Sequence, residues 1–239
     1  MKIQRLKSMH PISPYAPTWD IPIGTVNWGA EESINSVKNF LLKKEKDILE
    51  LDIMGDGGTG LPPTSVTTRF GKYNLFDFID ECKGIKELLK FMQLSYLEFV
   101  NLDYTDVFPL EIVSWYNIIY KGQSFNWHNH GRGEIAYLSG NMHLDNYPTS
   151  GTTYKKEDMI YTIPNVKGGL TIFPTHLSHK VDTYEDDNPR VSIAFDLYIY
   201  KPPYHMSNGQ KKSLPFMNSN IYQSLMEENS GWQEDYYMQ

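Results

Sequence analysis

Between residues 127 and 145 the chain reads WHNHGRGEIAYLSGNMHLD, and within it stand two arrangements that could grip a metal. His128 and His130 are two residues apart, so on an extended strand both imidazoles leave the same face. Two imidazoles on one face, joined by a third from another strand, can cap a single transition metal. The second arrangement, His143-Leu144-Asp145, has the His-x-Asp form found in two-histidine, one-carboxylate iron sites. Spacing alone leaves both open, because a strand histidine is more often a core or surface residue than a ligand.

A second stretch, 168–196, reads GGLTIFPTHLSHKVDTYEDDNPRVSIAFD. An apolar run ends in Phe-Pro, and His176 and His179 follow. After an acidic turn comes Arg190-Val191-Ser192, opening another apolar run. An arginine entering an apolar strand is unusual. Its planar fork can hold a carboxylate through two hydrogen bonds. Ser192, two residues on, shares that face and can donate to the same carboxylate. Alone, the pair reads as a turn arginine and a strand serine; beside a histidine cluster it reads as a carboxylate clamp.

The elements that must position these groups fall into two regions. In 31–50, Ile34, Val37, Leu41 and Ile48 recur near helical spacing among charged residues. In 85–100, Ile85, Leu88, Leu89, Met92, Tyr96 and Phe99 make the clearest amphipathic helix, whose stripe is core. Residues 1–30 are rich in Pro and Gly and are expected to wrap the core as extended chain. GDGGTGLPPTS at 55–65 is a loop without the Lys-Ser/Thr of a phosphate cradle, and 74–78 suits a capped turn. From about 110 onward, EIVSWYNIIY, EIAYLSGNMHLD, DMIYTIP, GLTIFP and RVSIAFDLYIY are short runs rich in β-branched and aromatic residues, separated by turn residues. The pattern predicts a double-sheet jelly roll with helices on one face and a cavity at one end. The polar tail from Lys201 is expected to pack as an arm or to move freely.

The 239 residues carry a formal charge of −7, which repels a nucleic-acid backbone unless a basic patch overrides it. Lys43-Lys44-Glu45-Lys46 is the one basic run, and it reads as a solvated helix face. A single cysteine, Cys82, rules out an intrachain disulfide and suits a reducing cytoplasm. No apolar run is long enough for a membrane span, and the N-terminus lacks the apolar stretch of a secretory signal.

Taken together, WHNH at 127–130, YLSGNMHLD at 137–145, SGTTY at 150–154, GGLTIFPTHLSHKV at 168–181 and RVSIAFDLY at 190–198 resemble the Fe(II)/2-oxoglutarate-dependent oxygenases. More narrowly they are similar to the 2-oxoglutarate–Fe(II) oxygenase subfamily of phages and bacteria. The resemblance covers 110–200 and extends loosely to the N-terminal helices. It implies a mainly β fold with flanking helices, a double-stranded β-helix of the jelly-roll, cupin-like kind. Residues 1–105 would be an extended segment with supporting helices, 106–200 the catalytic core, and 201–239 a C-terminal arm, all in one structural domain.

The same resemblance implies His128, His130 and His179 as ligands of Fe(II), with His130 where the common site has a carboxylate. Glu134 and Asp145 are the nearby acids that could complete the site instead. His143 and Asp145 would lie about eight residues, or roughly 26 Å of strand, from the metal end, and so off the metal. His179 keeps an eleven-residue spacing to Arg190, and His176 is left as a neighbour. Arg190 and Ser192 would hold the far carboxylate of 2-oxoglutarate, with Asn117 and Tyr137 completing that site. With O2, the chemistry would be hydroxylation of a C–H bond of a protein side chain, prolyl-type, or of a small molecule. Such an enzyme would meet a protein or small-molecule substrate in the cytoplasm, without nucleic acid or membrane, and could form a homodimer. The polar tail and the GDGG loop at 55–58 could form a substrate lid. Two other classes compete: a cupin-type metal enzyme without 2-oxoglutarate, which Arg190 and Ser192 speak against, and a jelly-roll binding module with structural histidines.

Overall fold

The computed structural model describes residues 1–8, 13–101, 109–131, 133–200 and 212–229. Two strands, β1 (Lys2–Lys7) and β2 (Asp20–Asn27), precede the helices α1 (Glu31–Leu49) and α2 (Lys83–Val100). The β region then runs through β3 (Leu110–Ile119), β4 (Phe125–His128), β5 (Ala136–His143), β6 (Tyr147–Lys156), β7 (Met159–Asn165), β8 (Gly169–Pro174), β9 (Ser178–Val181) and β10 (Arg190–Ile199). A last strand, β11 (Leu214–Met217), and helix α3 (Ser219–Glu228) close the described chain. The major sheet has the order β1-β2-β8-β5-β10-β3-β11, and the minor sheet the order β4-β9-β6-β7. The pairings are antiparallel. This is a double-stranded β-helix backed by helices.

The helices form where their apolar residues recur on one face. Ile34, Val37, Leu41 and Ile48 of α1 are buried, as are Ile85, Leu88, Met92 and Tyr96 of α2. Full burial of each aliphatic side chain contributes roughly 1.5–3 kcal/mol. Helix α2 ends on Asn101 in the left-handed conformation (φ 49°), whose N–H bonds the Leu97 carbonyl. These side chains share one core with Ile112, Ile118, Val191, Ile193 and Leu197 of the major sheet. Between the sheets lie two smaller clusters, one around Tyr154 and Phe173, the other around Phe125, Tyr147 and Val181.

One region departs from the sequence expectation. Residues 1–30 do not simply wrap: β1 pairs with β2, and β2 continues the major sheet beside β8. Ile21 and Ile23 alternate inward and satisfy the period of a strand despite the surrounding Pro and Gly. The tail packs where it is described. β11 pairs with β3, Asn218 caps α3 by accepting the Ile221 N–H, and Leu225 is buried. The remainder of the tail, 201–211 and 230–239, and the 105/106 division lie outside the described residues. The turn at 74–78 is a 3-10 turn with a capping box between Asn74 and Asp77. Among the described residues no helix is long and apolar enough to cross a membrane.

Gly140 sits in the middle of β5 opposite Phe195. A Cβ there would run into the Phe195 ring and the Thr171 carbonyl. Gly140→Ala is therefore expected to destabilise the protein by about 1–3 kcal/mol, the usual cost of overpacking. Urea unfolding of the two forms measures this, and equal midpoints would show that Phe195 can move aside.

Candidate metal centre and its cavity

β10 is hydrogen-bonded on both edges, to β3 and β5, and nine of its ten residues are buried. Successive side chains must therefore alternate between the helix-side core and the space between the sheets. Val191, Ile193, Phe195 and Leu197 take the helix side. Arg190, Ser192, Ala194 and Asp196 line a cavity of about 430 Å³ between the sheets.

The minor sheet supplies the opposite wall. β4 pairs with β9, with His128 opposite His179, across a bulge that begins after Phe125. His130 lies just past the end of β4, and its N–H bonds the Thr175 carbonyl. The result brings His128, His130 and His179 together, with ligand atoms all within 4.8 Å of one another. Ring centroids are 4.3 Å apart for His128 and His179 and 5.0 Å apart for His130 and His179. Each Nδ1 faces an acceptor: the Asn126 carbonyl at 2.8 Å, the Asp196 carboxylate at 2.5 Å and the Leu177 carbonyl at 3.1 Å, for His128, His130 and His179 in turn. With Nδ1–H donating in each case, the three Nε2 lone pairs are left for a metal, the donor set that iron accepts.

The other end of the cavity carries a buried cation. Arg190 is 1% exposed, and among the described residues no carboxylate pairs with it. Its Nη1 lies 3.4 Å from Ser192 Oγ and its Nη2 lies 3.5 Å from His143 Nδ1, while its Nε has no partner. Burial lowers the guanidinium to about 10, which still leaves it charged at neutral pH. An unpaired buried cation is costly, and a dicarboxylate reaching down the cavity would satisfy it. Asn117 lines the same space beside Ser192, its Oδ1 accepting from Thr67 Oγ1 at 2.8 Å.

Not every residue singled out in the sequence reaches the cavity. Tyr137 is a correction. β5 and β10 pair Leu138 with Leu197 but Ala136 with Tyr198, so Tyr137 is the extra residue of a β-bulge. Its ring turns to the helix side and meets Tyr96 edge-on at 6.3 Å. Neither Glu134 nor Asp145 stands with the triad; Glu134 is exposed, and Asp145 is bonded to Lys38. His143 is off the metal, yet it lines the cavity at the Arg190 end, because antiparallel pairing sets it opposite Ser192. His176 is exposed in the turn before β9. The loop at 55–60 leans on β4: Asn126 N–H bonds the Thr59 carbonyl, and Asp56 accepts from the N–H groups of Gly58 and Gly60. Asp196 was not singled out in the sequence. Its signal is the two-residue period from Arg190, which puts an acid on the cavity face of an apolar strand.

Burial holds His128, His179 and His143 neutral. It lowers His128 to about 4, with help from neighbouring His130, against an ordinary 6.5. His179 is depressed well below the ordinary value by burial and the two adjacent imidazoles, and His143 by burial and Arg190. These groups bind protons in the unfolded chain that the fold refuses. Stability is thus intact above about pH 6.5 and declines as pH falls below it. For His128 alone the loss by about pH 5 is roughly 2 kcal/mol. Urea unfolding of the metal-free protein between about pH 7 and pH 5 measures the slope, and His143→Gln should flatten it. A midpoint unchanged over that range would contradict the depressed values of His128, His179 and His143.

Residues 113–196 match the model of the family described as "Putative 2OG-Fe(II) oxygenase". No curated protein sequence matches the chain. Among solved structures it is similar to a prolyl-4-hydroxylase from Pseudomonas putida, at 11% identity and a TM-score of 0.52, covering 75% of this chain and 93% of that one. It is also similar to a prolyl hydroxylase from Trichoplax adhaerens in complex with a hypoxia inducible factor oxygen degradation domain peptide fragment, at 12% identity and a TM-score of 0.54, covering 78% and 87%. A third is the epimerase SnoN in complex with Fe3+, alpha ketoglutarate and nogalamycin RO, at 11% identity and a TM-score of 0.50, covering 82% and 91%. At these identities the likeness is one of fold, the double-stranded β-helix. The matched segment contains the three converging histidines, Arg190 and Asp196, so the likeness to the 2OG-Fe(II) oxygenase family falls on the residues that line the cavity.

Proposed function

We propose that the enzyme hydroxylates a C–H bond of a protein side chain, of the prolyl type, with His128, His130 and His179 holding Fe(II) and Arg190 and Ser192 holding the far carboxylate of 2-oxoglutarate. The observation that carries this reading is a single cavity with three convergent imidazoles at one end and an unpaired, buried guanidinium at the other. Bound there, the iron supplies the redox chemistry that couples conversion of 2-oxoglutarate to succinate and CO2 with oxygen insertion from O2.

The chain's own residues bind and orient. Arg190 offers a planar pair of donors, and Ser192 Oγ stands beside it to add a third. Asn117 has its carbonyl oxygen taken by Thr67, which leaves its amide hydrogens to offer. Apolar side chains, Met54, Phe70 and Trp115, line the cavity and exclude water near the imidazoles. Such a wall suits a pyrrolidine ring or another compact apolar group. The two prolyl hydroxylases of like fold support this substrate class. Residues 106–200 form the catalytic core in this reading, with 1–105 and 201–239 supporting it. Cys82, buried and free, fits action in a reducing cytoplasm.

Anaerobic addition of Fe(II) and then 2-oxoglutarate should produce a visible charge-transfer band that needs both. Arg190→Met should weaken 2-oxoglutarate roughly ten- to hundredfold, the worth of a charge-assisted hydrogen bond, and His128→Ala should abolish the band. With O2 admitted, proline-containing peptides should stimulate succinate release and gain one oxygen atom by mass. Iron binding without any effect of 2-oxoglutarate would favour a cupin-type metal enzyme. No iron binding would favour a binding module. Succinate release stimulated only by small molecules would move the substrate class.

A further inference from the structure

The three imidazoles are tethered in two different ways. His128 and His179 donate to main-chain carbonyls, which suffices to fix a tautomer. His130 donates to a carboxylate. Asp196 is 1% exposed, and burying a carboxylate costs far more than using a peptide carbonyl. Its Oδ1 accepts from His130 Nδ1 at 2.5 Å and from Ser139 Oγ at 2.7 Å, and its Oδ2 accepts from the Tyr198 hydroxyl at 3.1 Å. The Ser139 hydroxyl fixes Oδ1 behind His130, while the Tyr198 hydroxyl draws on the other oxygen.

Resting on the assignment of His128, His130 and His179 as the iron ligands, we propose that Asp196 is a positioning residue that supplies, through His130, the negative charge a ligating carboxylate would bring. Three neutral imidazoles leave an Fe(II) site one charge more positive than two imidazoles and a carboxylate. Asp196 restores that count from one hydrogen bond away. A carboxylate behind a metal-bound imidazole also raises the basicity of the ligating nitrogen and fixes the ring, and loss of such a partner typically weakens metal binding 10- to 100-fold. Asp196 and Arg190 share the cavity face of β10, so one strand presents a negative group at the metal end and a positive group at the cosubstrate end.

The test moves the charge. Asp196→Asn keeps the shape and an acceptor but removes the charge, and Fe(II) affinity, measured by anaerobic calorimetry on the metal-free protein, should fall roughly 10- to 100-fold. The double variant H130D/D196N puts a carboxylate on the metal itself and should regain most of that affinity. Tyr198→Phe removes one donor that competes for the carboxylate, and should leave Fe(II) affinity undiminished even if Asp196→Asn fails to fold. Nitrogen NMR of the metal-free wild type should show His130 with its proton on Nδ1. Asp196→Asn binding Fe(II) as tightly as the wild type, a double variant no better than Asp196→Asn, or a fall in affinity for Tyr198→Phe would overturn the proposal. A wild type that binds no Fe(II), or a His128→Ala protein that binds it equally well, would instead remove the ligand assignment and this inference with it.

Discussion

The alternation of β10 is the constraint on which the site depends. Because β3 and β5 pair with both edges and both faces are covered, no side chain of this strand can choose its direction. The apolar residues at 191, 193, 195 and 197 are anchored in the helix-side core. A one-residue slip would drive Arg190 and Asp196 into that core and bring Ile193 and Phe195 into the cavity. The hydrophobic effect on one face thus positions the charged groups on the other, and helices α1 and α2 contribute to the chemistry only by holding that face.

The minor sheet works under looser control. β4 has four residues, forms an edge of its sheet, and pairs with β9 through a bulge. His130 lies beyond its end and is held by one main-chain bond to Thr175 and one side-chain bond to Asp196. The loop at 55–60 covers the outer edge of β4 and places Gly58 against the Cβ of His128. So the three histidines come from an inner strand of four residues, the last position of an edge strand of equal length and the segment just past it. Their convergence relies on contacts with the major sheet and not on the minor sheet alone.

Much of this was legible from residue spacing. The paired histidines at i and i+2, and the arginine and serine opening an apolar strand, carry their geometry in the sequence. The amphipathic stripes of α1 and α2 were equally plain. What escaped depended on pairings that no local pattern reveals. Tyr137 shares the odd-numbered face of β5 with Ser139, Asn141 and His143, and only the bulge opposite Leu197 and Tyr198 turns it out. His143 looked remote because its distance was measured along the chain, whereas antiparallel pairing folds it back opposite Ser192. Asp196 followed from the alternation that picked out Arg190 and Ser192, continued two steps further. β1 and β2 were hidden by nearby Pro and Gly residues, of which Pro22 and Gly24 lie within β2 itself without breaking the inward alternation of Ile21 and Ile23.

The short edge strand β4 has a kinetic consequence. Local opening of so brief a strand, with the 55–60 loop that covers it, requires far less free energy than unfolding the core behind it. His128 would leave the cluster in such an opening while Arg190 and Asp196 stay in place. Exchange of a bound ion with solvent is then governed by fraying at this margin, on a timescale set apart from the lifetime of the fold. A ligand that bridges both walls of the cavity closes that margin by mass action, so occupancy slows its own loss and protects the amides of the 55–60 loop and of β4 before those of any other segment.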